Sequence, residues 1–191
     1  MMNPSRRGRS DRDGGPAGRG QVHAERRRGS GGSESSSLVV QRTLASYAKR
    51  GIFRAWGDRP SDRERSSFSF RWHADATFQL VYDPSRRELT FCDLLPHVGS
   101  RSPMYRELKQ FLQGRTSLTV PEHRRVDPGK VGITLKSRKG MVSLVVSLKD
   151  RHLEYGVRKA VNLVHELFVD FLRHPLYFPY MVEHFNVDPE L

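Results

Sequence analysis

The stretch HELFVDFLRH, from His165 to His174, holds the residues of this chain most suggestive of chemistry. Zinc peptidases place two His one helical turn apart, so that both rings reach one metal, with Glu beside the first as general base. Here the position four residues after His165 is Val169, and the next histidine, His174, stands beside the helix-breaking Pro175. The spacing therefore predicts no zinc site. It predicts a polar helix face or part of an interface for His165 and Glu166, with Glu166 further toward the solvent side. His23, His73, His97, His123, His152 and His184 are scattered without ligand spacing, and His73 stands with Asp75 in a short turn. DPGKVG, Asp127 to Gly132, has the Gly-Lys of a phosphate loop. It lacks the following Ser or Thr and leads into a strand, so a turn is expected. No G-x-S-x-G or G-x-G-x-x-G run is present. The single cysteine, Cys92, rules out an internal disulfide and a Cys-rich zinc site. The expectation is a non-enzyme with no catalytic residue, metal ligand or cofactor site.

Cationic clusters remain. Arg124, Arg125 and Lys130 lie in EHRRVDPGK, and Lys136, Arg138 and Lys139 lie around a hairpin turn. Arg59, Arg63 and Arg65 lie on a polar connector. Such a hairpin could grip the phosphates of a nucleic acid. The same charges also guard sheet edges against unwanted pairing. The aromatic residues Phe68, Phe70, Trp72, Phe78 and Phe91 are needed for a core, and no RNA-stacking consensus accompanies them.

The elements that would position these residues begin after a polar front. Residues 1–37 contain no Leu, Ile, Phe, Trp or Tyr and one Val. They carry eight Arg against two Asp and two Glu, a net +4 of the chain's +12. Such a segment buries too little apolar area to offset its ordering entropy, so a disordered Arg/Gly/Ser tail is expected. Residues 38–191 are read as a single α+β domain, itself basic, which favours anionic partners. No window approaches a membrane span, and the N-terminus lacks an apolar signal region. A cytoplasmic protein is expected.

Val40, Leu44, Tyr47, Ala48, Gly51, Ile52 and Ala55 recur at helical steps and predict a first helix over 38–56, capped by the SESSS hydroxyls. The period then changes to two. Phe68/Phe70/Trp72, Phe78/Leu80/Tyr82 and Leu89/Phe91 predict a three-strand antiparallel meander. Ser102-Pro103 opens a short helix that closes on Gly114. KVGITLKS and MVSLVVSLK form a two-strand hairpin turning at SRKG. A long helix over 152–173 carries the stripe Val157, Ala160, Val161, Val164, Leu167, Phe168 and Phe171. PLYFPYMVEHF adds a short C-terminal helix that covers its own chain or docks on another subunit.

This order, with the strand-turn-helix MVSLVVSLKDRHLEYGVRKAVNLVHELF, resembles the type III secretion chaperone-like fold and the bacterial sensory-transduction-regulator-like family that shares it. The resemblance implies binding rather than catalysis. Its members are often homodimers that offer sheet and helix surface to an extended partner segment, by strand addition or groove binding. The charge departs, because secretion chaperones are typically acidic. The expected function is a protein-binding or chaperone-like module with a protein partner, as a homodimer. The alternative is a nucleic-acid-associated protein using the tail and the 124–139 basic region.

Overall fold

The computed structural model describes residues 31–59, 65–149 and 151–188. The expected tail therefore lies outside the described residues over 1–30, while residues 31–37 have helical backbone. The elements are α1 (Gly31–Lys49), β1 (Arg54–Arg59), β2 (Ser66–Arg71), β3 (Thr77–Asp83), β4 (Glu88–Leu95), α2 (Pro103–Gly114), β5 (Val131–Arg138), β6 (Met141–Leu148), α3 (Leu153–Glu166) and α4 (Phe178–Phe185). The fold is α+β, with one antiparallel six-stranded sheet in the order β1-β2-β3-β4-β6-β5.

The first helix differs from the expectation at both ends. It starts at Gly31, so the serine run lies inside it rather than capping it. It stops at Lys49 because Gly51 takes φ +73, a left-handed conformation that costs glycine little. The Gly51 amide then bonds to Ala48 O and the Ile52 amide to Tyr47 O, the paired bonds of a Schellman ending. The chain leaves in a new direction. Phe53 stacks on Phe70 at 4.0 Å and Trp56 on Phe68 at 5.6 Å, and residues 54–59 pair with β2 as a fourth meander strand. Ile52 and Ala55 fit helical spacing without belonging to a helix.

The other elements follow their sequence signals. The Ser102 hydroxyl accepts from the Tyr105 amide and Pro103 occupies the first turn of α2. Asp83 accepts from the Ser85 hydroxyl and the Arg86 amide to tighten the β3–β4 turn. Lys139 and Gly140, both at positive φ, turn the β5–β6 hairpin. One pleat of the sheet carries Phe68, Phe70, Phe78, Leu80, Tyr82, Leu89, Phe91, Val142, Leu144 and Val146, all buried. The predicted stripe of α3 is buried as well, with α1 packed on α3. Gly156 brings α3 close to the sheet, since a Cβ there would stand 2.0 Å from Leu148 Cδ2. A π turn, Leu167–Phe171, ends the long helix. α4 packs on its own chain: Phe185 meets Phe168 edge-on at 5.1 Å, and Tyr180 donates to Pro96 O.

Candidate functional site

The outer edge of β5 is where the sheet ends. Lys149 N donates to Lys130 O, which fixes the ladder phase: even-numbered residues of β5 exchange hydrogen bonds with β6. The odd-numbered residues turn their N–H and C=O groups outward. Two of these groups have partners: the Val131 amide bonds back to Asp127 O, and Leu135 O accepts from the Tyr105 hydroxyl of α2 at 3.1 Å. The Ile133 N–H and C=O between them have no backbone partner among the described residues.

Beside this edge lies a groove of about 540 Å³. One wall is the α2 face that bears Tyr105, Lys109 and Leu112, with Thr116 in the turn after the helix, and the other is β5 from Val131 to Leu135. The three α2 residues recur at four and three positions, so they share one helix face. Leu112 is buried, while Ile133 and Leu135 are half-buried and give the floor its apolar character. Lys109 and Lys149 bring two exposed ammonium groups to it. Lys149 Nζ already donates to Pro128 O, and Lys109 has no ion-pair partner among the described residues.

The six cationic residues singled out from sequence do not form one patch. Arg124 Nε donates to Glu166 Oε1 at 2.9 Å, and its second branch pairs with Asp170. Those hydrogen bonds, Glu166 first, push the Arg124 pKa further up. Arg125 is half-buried. Lys130 pairs with Asp127 at 3.3 Å and lies over the Tyr155 ring. Lys136 approaches Glu88 at 3.9 Å. Arg138 and Lys139 are exposed at the hairpin tip, with no ion pair among the described residues.

Glu166 corrects the solvent-side expectation. It is 4% exposed, because the loop after α2 folds over that side of α3 and brings Arg115 and Arg124 with it. Arg115 Nε lies 3.1 Å from Glu166 Oε2, an ion-pair contact without hydrogen-bond alignment. On the same side of the helix Lys159 is buried and donates to His123 O, and burial lowers its pKa. These contacts fasten the 115–130 loop, and so one end of the groove, to α3. Neither the loop path nor Lys159 was visible in the hydrophobic spacing.

His165, on the exposed side of α3, meets His73 with Nδ1 and Nε2 3.3 Å apart. His73 also stacks flat on Phe168 at 4.8 Å. Burial, then the neighbouring His165 and Arg173, lowers the His73 pKa to about 4, so its ring is neutral at pH 7. One imidazole donates to the other, and the pair ties the β2–β3 turn to α3. Among the described residues no group of three or more His, Cys, Asp or Glu side chains is placed to hold a metal ion. No helix among them is long and apolar enough to cross a membrane.

Comparison of the chain with protein-family models, with curated proteins and with solved structures gives no match.

Proposed function

We propose that this chain is a non-enzymatic binding module that takes an extended segment of a protein partner as an added strand on β5. The observation that carries the reading is the outward-facing Ile133 N–H and C=O beside an apolar-floored groove. Strand addition supplies main-chain hydrogen bonds, and the groove supplies burial for alternate side chains. The resemblance to secretion chaperone-like proteins points the same way. The opposite edge, β1, is a poorer template: it is six residues long and breaks register between Arg54 and Gly57.

The nucleic-acid reading is weaker on two counts. Arg124, Lys130 and Lys136 engage carboxylates of their own chain. Tyr105 is the one aromatic residue among those lining the groove, and its hydroxyl is committed to Leu135 O. A homodimer joined at the β5 edge would bring Lys130, Lys136 and Arg138 of each copy together, so the charge favours another surface for self-association.

The test is selection of random displayed decapeptides on the full chain, repeated with Ile133→Pro. The Ile133 N–H points away from β6, so proline there removes the edge donor and leaves the β5–β6 ladder intact. Peptides that bind the parent chain and lose binding to a folded Ile133→Pro variant support the reading. An empty selection, or peptides indifferent to proline, contradicts it.

A further inference from the structure

The groove's charge allows its occupant to be specified further, on the premise that the β5 edge is the binding site. We infer that the added strand is acidic: an extended segment with an aliphatic side chain opposite Ile133 and carboxylates that reach Lys109 and Lys149.

The pleat sets the aliphatic position. A residue paired with Ile133 puts its side chain on the same side of the sheet as Ile133, toward Leu112, Val131 and Leu135. That floor offers contact to an aliphatic chain, and the Tyr105 hydroxyl beside it already donates to Leu135 O. Residues of the same phase, two positions away, pass toward Lys109 on α2, and their neighbours of the opposite phase turn to the other face, that of Lys149, which pairs with Lys130 across the ladder. At one wall stands Lys109 on α2, and at the β6 end stands Lys149. No carboxylate is among the residues lining the groove. An acidic side chain arriving there meets cations and no competing anion, and a basic one meets repulsion. The net +12 of the chain steers an acidic segment toward it and repels a basic one.

The same charges argue against a second copy of this chain. A β5 strand from another molecule would bring no carboxylate to Lys109 and Lys149: Val131, Ile133, Leu135 and Ser137 would lie over the groove, and Lys136 and Arg138 would turn to the other face. A single-stranded nucleic acid would present phosphates, but it has no peptide groups to meet Ile133 and would find no run of aromatic rings on which to stack its bases.

The experiment takes decapeptides selected on the full chain and reads their composition and their charge dependence. Selected sequences should be rich in Asp or Glu flanking one aliphatic residue. Replacing those acids by Lys should weaken binding by about tenfold, the loss of two exposed pairs plus new repulsion. Lys109→Glu should weaken the acidic peptide by a similar factor and favour its Lys-substituted form, and raised salt should shrink both effects. Neutral or basic selected sequences that still need the Ile133 edge would overturn the acidic assignment and leave strand addition standing. Sequences indifferent to Ile133→Pro would overturn both. A twenty-nucleotide poly-dT that displaces the peptide, and whose own binding is lost in Lys109→Glu, would overturn the assignment in favour of nucleic acid.

Discussion

At the residue scale, ionic side chains of this protein divide by burial. Glu166 is buried between Arg115 and Arg124, so removing it leaves two guanidinium groups, one of them 14% exposed, with Asp170 as their remaining carboxylate. Breaking a buried pair from one side costs about 3–5 kcal/mol, and the partial exposure of Arg124 with the remaining Asp170 pairs places Glu166→Ala at about 2. The Arg158–Glu154 pair on the outer face of α3 is exposed on both sides, and Arg158→Ala should change stability by less than about 0.5 kcal/mol. Urea titration of both variants checks the contrast, and equal effects would contradict it. His73 gives a pH dependence of definite sign. Its folded pKa, about 4, lies below the ordinary 6.5. Above pH 6.5 both folded and unfolded chains keep the ring neutral. As pH falls toward 4 the unfolded chain gains a proton that the folded chain refuses, so stability is lost through that window, by up to roughly 3 kcal/mol. His165 and Arg173 face the same ring and strengthen the effect. Urea midpoints at pH 7, 5 and 4 should fall for the parent chain, and His73→Gln should flatten the decline.

At the element scale, the close approach of α3 to β6 depends on Gly156. A methyl group there meets Leu148, which is itself buried against the same helix. Gly156→Ala therefore gains helix propensity and loses packing, and a net destabilisation of about 1–2 kcal/mol is expected from thermal or urea unfolding. A stabilised variant would mean that Leu148 moves aside freely. Most of this layer was legible in the residues. The α3 stripe, the Ser102-Pro103 cap and the alternation in β2, β3, β4 and β6 each rest on a short-range rule, and each stands in the structure. β1 was not legible. Ile52 and Ala55 continue the helical spacing by coincidence, and the Gly51 turn that overrides it is a backbone event with no periodic signature. Glu166 misled for the opposite reason: its place on the helix wheel looks wet until a loop from elsewhere in the chain covers it. The groove is further still from the sequence. Which amides of β5 face outward depends on its register with β6, and the second wall comes from α2, across the 115–130 loop.

At the scale of the whole molecule, a six-stranded antiparallel sheet has two edges, and this one treats them differently. β1 is short and irregular, while β5 is regular, eight residues long and flanked by a groove. Tyr105 caps one carbonyl of β5 and leaves the Ile133 peptide group open. Tyr105→Phe frees that carbonyl at a stability cost of about 1 kcal/mol, measurable in urea, and should leave strand binding in place. Loss of binding would make the hydroxyl a contact rather than a cap. Strand addition at β5 is tested most directly by residue-resolved amide exchange of the full chain, free and saturated with a selected decapeptide. An added strand should slow exchange at Ile133 and Leu135, whose amides point outward. Gly132 and Thr134, already bonded to β6, should change little. That alternation at saturation is the result predicted here. Unchanged exchange at Ile133, with protection elsewhere, would place the partner on another surface and contradict strand addition at β5.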